Sequence, residues 1–193
     1  MRPIILASAS PRRAALLQQI RIPFDICPAE IDERRGDAEL PAPYVERLAL
    51  AKAAAVAQPG RFTLGADTVV VLDGQIFAKP ANREAGIGML MALGGRTHQV
   101  VTGVAGIQGQ RRRVEHVIAH VTFRAIERAE AEAYWRTGEP SDKSGGYGIQ
   151  GIGGIFAQSI TGSYSAGVGL PLTETERLLR DFGIDTWRAR SDV

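Results

Sequence analysis

Near its amino terminus the chain reads Pro3-Ile4-Ile5-Leu6-Ala7-Ser8-Ala9-Ser10-Pro11. The aliphatic run over residues 3–7 predicts a short buried strand. Ser10-Pro11 predicts the start of a helix, because serine is a favoured N-cap and proline is tolerated in the first helical turn. An apolar stripe from Ala14 to Ile20 continues that helix. A buried strand leading directly into a helix favours an α/β fold.

The rest of the chain continues this alternation of strands and helices. We expect the strand at 62–72 to be interrupted at Gly65-Ala66-Asp67-Thr68. The tip of a long hairpin should carry Arg111-Arg112-Arg113. Residues 141–154 are expected to form a glycine-rich functional loop. Without a repeat or a linker, the sequence predicts one α/β domain over residues 1–193. The other predicted strands are 22–26, 75–78, 98–107, 114–123 and 155–160, and the other helices are 44–57, 82–93, 126–137 and 171–182.

Composition excludes several classes of protein. With 45% hydrophobic and 23% charged residues, the 193-residue chain is an ordinary globular protein. A net charge of +2 argues against a general nucleic-acid binder. The single cysteine, Cys27, allows no disulfide within the chain, and the sequence has neither a membrane-spanning run nor an N-terminus typical of a signal peptide. We therefore expect a cytoplasmic protein with no nucleic-acid or membrane partner.

The first candidate site is Ser8-Ala9-Ser10-Pro11-Arg12-Arg13. A helix N-terminus presents unpaired N–H groups and a positive dipole end, and arginines add bidentate donors, so this segment could bind phosphate. A capped helix with surface arginines explains the same residues equally well.

The second candidate is Asp67, a carboxylate in an otherwise apolar strand. Burying it is costly without a partner, and a metal ion or an attacking water would serve as one. A turn or a structural hydrogen bond is the alternative, but we favour a functional role because the strand is otherwise aliphatic on its far side. Lys52 and Lys79 could supply positive charge for phosphate, although each lysine alone is more often a solvated surface residue.

The third candidate is the run from Asp142 to Gly151. Its glycines would allow close backbone approach to a ligand, Tyr147 would stack on a base, and the Gln150 amide would pair with a base edge. A flexible turn-rich connection is the alternative. His116 and His120 are too far apart on a strand, by about 13 Å, to share one metal ion.

These motifs together resemble the Maf family of nucleotide pyrophosphatases. The resemblance rests on the segments 8–13, 65–68, 79–80 and 142–151, whose order and spacing cover nearly the whole chain. It implies an elongated mixed β-sheet flanked by helices, with two lobes around a central cleft, as in the inosine triphosphate pyrophosphatases. Two departures are Ala9, where glycine or glutamine is frequent, and Gly167, where a β-branched residue is common.

The resemblance also implies roles for individual residues. Asp67 matches the catalytic acidic residue that activates water, and Glu33 matches an acidic position that helps hold a Mg²⁺ or Mn²⁺ ion, with Glu30 as a weaker substitute. Arg12, Thr68 and Gln150 match positions associated with substrate choice. The implied phosphate site contains Ser8, Ser10, Arg13, Lys52, Lys79 and Lys143.

The segment Tyr147-Gly148-Ile149-Gln150-Gly151 resembles the dTTP/UTP branch of the family. A glutamine amide can satisfy the donor and acceptor edge of uracil or thymine. We therefore expect hydrolysis of dTTP and UTP, or of modified pyrimidine nucleotides, to the monophosphate and pyrophosphate. Family analogy also suggests a homodimer. The alternatives are a pyrophosphatase for 7-methyl-GTP or another purine nucleotide, and a nucleotide-binding regulator of cell division without catalysis.

Overall fold

The computed structural model describes residues 4–191 and is a mixed α/β protein, which confirms the predicted fold class. The strands are β1 (Ile4–Leu6), β2 (Phe24–Ile26), β3 (Thr63–Leu72), β4 (Gln75–Phe77), β5 (Thr97–Gln108), β6 (Arg111–Phe123) and β7 (Ala157–Thr161). The α-helices are α1 (Pro11–Gln19), α2 (Pro41–Ala55), α3 (Arg83–Leu93), α4 (Arg128–Arg136), α5 (Tyr164–Val168), α6 (Leu172–Asp181) and α7 (Thr186–Ser191). Short 3₁₀ helices cover Glu139–Asp142, Ser144–Gly146 and Ile152–Phe156.

The strands form one mixed sheet in the order β2-β1-β3-β5-β6-β7, with β4 paired to β3. β1 runs parallel to both β2 and β3, whereas the β3–β4 and β6–β7 pairs are antiparallel. The turn between β3 and β4 is Asp73-Gly74, as predicted, and both residues have positive φ. Within residues 4–191 no helix has the length and apolar character needed to cross a membrane.

The described chain divides into two compact units. Unit 1 contains residues 4–67, 102–117 and 169–191, and its buried side chains include Leu17, Leu48 and Leu64. Unit 2 contains Thr68–Val101 and Ile118–Val168, and its core includes Leu90 and Phe123. The single domain over 1–193 and the central cleft stay predictions.

Several element boundaries differ from those expected. Helix α2 begins at Pro41 rather than at Tyr44, because the N–H groups of a first helical turn have no helical acceptor and proline loses nothing there. β3 runs without interruption through Gly65–Thr68, so the expected break was wrong. Arg111–Arg113 begin β6, and the hairpin turn is made by Gly109 with a φ of 59°.

The segment 141–154 is more ordered than a simple loop, since it contains parts of three 3₁₀ helices. Helices α5 and α7 were not predicted. Gly167 lies in α5, and a Cβ at this position would make only an ordinary contact with Ala119. Its departure from the family pattern is therefore sterically undemanding.

Candidate active site

The turn after β1 is organised by the Ser8 hydroxyl. Ala7 donates its N–H to the Leu64 carbonyl at 2.8 Å, so Ser8 lies at the carboxyl end of β1 beside β3. The buried Ser8 Oγ accepts hydrogen bonds from the Ser10 N–H at 3.2 Å and from Arg13 Nη1 at 3.0 Å. Ser10 occupies the N-cap position of α1, but its side chain makes no capping hydrogen bond. Ser8, not Ser10, supplies the ordering hydroxyl of this turn.

The two arginines of the turn have different environments. Arg13 Nε donates to the Gly169 carbonyl at 2.8 Å, so its guanidinium joins the first turn of α1 to a residue far along the chain. Burial lowers the pKa of Arg13, while the negative charge of Asp67 opposes that shift. Arg12 is half-buried and makes no side-chain hydrogen bond or ion pair among residues 4–191. Arg13 thus makes hydrogen bonds within the protein, whereas the donors of Arg12 have no protein partner within residues 4–191.

Asp67 and Glu33 meet at one ammonium group. Lys52 Nζ lies 2.7 Å from Asp67 Oδ1 and 2.7 Å from Glu33 Oε1. The Lys52 and Asp67 side chains are each 11% exposed, whereas Glu33 is 48% exposed. The expectation that Lys52 alone is a solvated surface lysine was wrong, because the nearby carboxylates offset the cost of burying its charge.

Gly65 allows this ion pair to form. A Cβ at Gly65 would collide with the Ala49 carbonyl oxygen and would lie 2.9 Å from the Ala53 backbone nitrogen. Helix α2 therefore packs against the backbone of β3 at this glycine. That close approach carries Lys52 on α2 to Asp67, two residues further along β3.

The converging carboxylates have the chemistry expected of a divalent-cation site. Because Asp67 and Glu33 each place an oxygen 2.7 Å from the same nitrogen, those oxygens are separated by at most twice that distance. Magnesium is commonly held by one or two carboxylates together with waters and substrate phosphates. In the described part of the chain no group of three or more His, Cys, Asp or Glu side chains could hold a metal ion. Carboxylate oxygens suit Mg²⁺ or Mn²⁺ when water and phosphate supply the other ligands, but the Lys52 ammonium lies between these two, so the metal site stays a prediction.

In unit 2 the structure brings together three of the predicted segments. Ser144 Oγ donates to the Thr68 carbonyl at 3.1 Å, and the Gly145 N–H donates to the Ala78 carbonyl at 3.2 Å. The glycine-rich segment is therefore attached both to Thr68 and to the residue before Lys79. Lys79 is exposed and makes no side-chain hydrogen bond or ion pair within the described range.

Lys143 is held by its own segment. Its Nζ donates to the Glu139 carbonyl and to Asp142 Oδ1, both at 2.7 Å. Gln150, in contrast, is exposed, and its amide makes no hydrogen bond among residues 4–191. Lys143 is therefore held by hydrogen bonds within its segment, whereas the side chain of Gln150 is exposed.

Three glycines of this segment make room for neighbouring side chains. A Cβ at Gly151 would collide with the Glu139 carboxylate, and one at Gly148 would lie 2.9 Å from Glu139 Oε1. A Cβ at Gly153 would be too close to the Tyr134 hydroxyl. The close protein contacts therefore require glycine at these three positions, and the predicted approach of a ligand to the segment stays a prediction.

Tyr147 is also placed differently from the prediction. It is only 7% exposed, its hydroxyl lies 2.8 Å from His98 Nε2, and its ring packs edge-on against Phe123. Tyr147 therefore belongs to the core of unit 2 and does not offer its face to a base. Sequence reasoning missed His98, Tyr134 and Glu139, although the spacing of Gly148, Gly151 and Gly153 could have indicated a bulky group packed against the turn.

Comparison with known proteins places these features in a family. The model of the family described as Maf-like protein matches residues 3–182. The dTTP/UTP pyrophosphatase of Saccharophagus degradans is 48% identical over 96% of this chain and 91% of its own length. Those of Symbiobacterium thermophilum and Moorella thermoacetica are each 49% identical, over 95% and 97% of this chain and 95% and 98% of their own lengths.

Among solved structures, the Staphylococcus aureus Ham1 protein covers 63% of this chain and 72% of its own. Its sequence identity is 16% and its TM-score is 0.47. This likeness is too weak to bear on function.

Proposed function

Because the chain belongs to the family of Maf-like proteins, we propose that it hydrolyses dTTP and UTP to the nucleoside monophosphate and pyrophosphate. Relatives about half identical over nearly the whole chain bear the name dTTP/UTP pyrophosphatase. The structural observation that carries the proposal is the buried Asp67, paired with Lys52 beside Glu33. A low-exposure carboxylate beside positive charge suits the activation of water for attack on a polyanion.

In the proposed reaction, water attacks the α-phosphorus and Asp67 accepts its proton. The bond from that phosphorus to the bridging oxygen breaks, and the electron pair leaves with pyrophosphate. Glu33 and Asp67 would hold Mg²⁺ or Mn²⁺, which, when bound, neutralises phosphate charge and polarises the phosphoryl group.

The remaining residues bind and select. We assign the phosphates to the turn of Ser8, Ser10, Arg12 and Arg13 and to the lysines at 52, 79 and 143, because helix N-termini and cations stabilise phosphate charge. Arg12, Thr68 and Gln150 determine substrate choice in this proposal. The exposed Gln150 amide offers both a donor and an acceptor to the edge of a pyrimidine. We also propose that the chain is cytoplasmic and homodimeric.

The test is pyrophosphate release with Mg²⁺ or Mn²⁺ from a panel of pyrimidine and purine nucleoside triphosphates, including 7-methyl-GTP. We expect dTTP and UTP to be preferred and a chelator to stop turnover. Asp67→Asn should lower kcat by about 10³-fold or more, since it removes the base while keeping the side-chain shape. Asp73→Asn is the matched control, because Asp73 is an exposed turn carboxylate paired with Arg96.

Two results would contradict the proposal. Preference for a purine nucleotide would contradict the proposed recognition of pyrimidines but not the proposed hydrolytic mechanism. Nucleotide binding without pyrophosphate release would indicate a non-catalytic regulator. Circular dichroism of Asp67→Asn distinguishes lost chemistry from lost folding.

A further inference from the structure

The carboxylate of Glu139 lies against the turn that carries Gln150. Glu139 Oε1 accepts hydrogen bonds from Tyr134 Oη at 2.6 Å and from the Gly153 N–H at 3.0 Å. Glu139 Oε2 accepts from the Ile152 N–H at 2.9 Å. One side chain therefore satisfies two consecutive backbone donors just after Gln150 in the sequence.

Tyr134 fixes the other side of the same turn. Its hydroxyl donates to Glu139 and accepts from the Gly148 N–H at 3.0 Å. The pair thus holds the backbone two residues before Gln150 and at two and three residues after it. We call Tyr134 and Glu139 the clasp.

The protonation states suit this arrangement. Burial alone would raise the pKa of the Glu139 carboxyl, but hydrogen bonds from Tyr134, Gly153 and Ile152 outweigh it and hold that pKa below its ordinary value. Burial, reinforced by the hydrogen bond to Glu139, raises the pKa of Tyr134. Near neutral pH the clasp therefore pairs an ionised acceptor with a protonated donor.

The clasp requires glycine at three positions of the turn. Side chains at Gly148, Gly151 and Gly153 would all come too close to Glu139 or Tyr134. The Glu139 carbonyl also accepts the Lys143 ammonium. Glu139 is therefore hydrogen-bonded both to Lys143 and to the backbone that follows Gln150. The proposed function assigns substrate contacts to Lys143 and Gln150.

We propose that Glu139 is a positioning residue for base selection, acting through the backbone that presents Gln150. This inference rests on the proposed function, in which Gln150 reads the base. An exposed glutamine on a mobile turn would lose conformational entropy on ordering, and a turn held in advance reduces that loss.

The experiment is a double-mutant cycle with Glu139→Gln and Gln150→Ala. The amide of Glu139→Gln keeps the side-chain size but turns an NH₂ group towards a backbone donor. We expect the ratio of kcat/KM for dTTP to that for dGTP to fall about tenfold, largely through KM. In the Gln150→Ala background the same change should have little further effect on the ratio, because the group through which Glu139 acts is gone.

Two variants guard the interpretation. Tyr134→Phe removes the other half of the clasp and should lower the ratio in the same direction, which keeps a test if Glu139→Gln does not fold. Glu84→Gln makes the same chemical change at an exposed glutamate of unit 2 and should leave the ratio unchanged. Circular dichroism confirms folding of each variant.

An unchanged ratio in folded Glu139→Gln, or an equal fall with and without Gln150, would overturn the inference. Wild-type preference for another nucleotide would contradict the proposed function, and the cycle is then measured with that nucleotide in place of dTTP. If no pyrophosphate is released, dissociation constants for the same nucleotides replace kcat/KM. These outcomes distinguish an error in the proposed function from an error in the proposed role of Glu139.

Discussion

Lys52 is the residue on which the charge balance of the candidate site depends. Its ammonium lies within hydrogen-bonding distance of both Asp67 and Glu33. Lys52→Met should lower the free energy of unfolding by about 3 kcal/mol, because it leaves a buried carboxylate unpaired beside a second one. Urea denaturation measures the loss.

A divalent cation should partly replace the missing charge in this variant. Mg²⁺ is therefore expected to raise the Tm of Lys52→Met more than that of the wild type, since a ligand that binds only the folded state stabilises it. Lys79→Met is the matched control, an exposed lysine whose loss should change stability by less than about 0.5 kcal/mol. Equal Tm shifts in Lys52→Met and in the wild type would argue against a cation site at Asp67 and Glu33.

At the scale of single residues, the sequence predicts those that lie in short motifs and misses those brought together by packing. Asp67 is recognisable because a carboxylate in an apolar strand needs a partner. Its pairing with Lys52 depends on how closely α2 packs on β3, which residue spacing does not show. Glu139 was missed for a similar reason, since its partners at 152 and 153 are backbone groups with no side-chain signature.

The packing of α2 against β3 gives a prediction at the scale of elements. Gly65→Ala should destabilise the chain by about 3 kcal/mol or more, because the added methyl group meets helix backbone that cannot rotate away. Gly88→Ala is the control: Gly88 lies in α3, and a Cβ there meets no atom within 4 Å. That variant should be neutral or stabilising by about 1 kcal/mol, because alanine favours helix more than glycine does. Thermal denaturation measures the Tm of both variants. Equal Tm values would show that Gly65 is not needed for close packing.

Most strands and helices were predictable because their periodicity and caps are local. Asn82 begins α3 as expected, with its side chain accepting the Ala85 N–H at 2.9 Å. Gly65 was expected to break β3, because glycine weakens a strand locally. It instead leaves the space that lets helix α2 pack closely on the sheet. Helices α5 and α7 have five and six residues, too few turns for a clear apolar period.

The stability of the whole molecule should depend on pH through His98. This histidine is 2% exposed, and burial lowers its pKa to about 4 from an ordinary value of 6.5. Between those values the unfolded chain binds more protons than the folded chain, so stability is lost as the pH falls from 6.5 towards 4. The full loss from this one group is about 3 kcal/mol.

Urea midpoints of wild type and His98→Gln, measured from pH 7 to pH 4, test this dependence. The wild type should lose more stability over that range, and the difference isolates His98 from the carboxylates that both proteins share. His120→Gln, at an exposed position of β6, should follow the wild type. Parallel curves for wild type and His98→Gln would show that His98 does not determine the acid sensitivity.

Unit 1 is discontinuous in the chain, and this affects how the molecule emerges from a ribosome. Unit 2 has all its residues once Val168 is made, whereas unit 1 still lacks residues 169–191. Those residues include Gly169, whose carbonyl accepts the Arg13 guanidinium. Synthesis proceeds from the amino terminus, so the turn of Ser8 and Arg13 stays incomplete until most of the polypeptide has been translated. A nascent chain thus carries its first-made candidate phosphate-binding segment without the Gly169 partner, and the candidate site is completed near the end of translation.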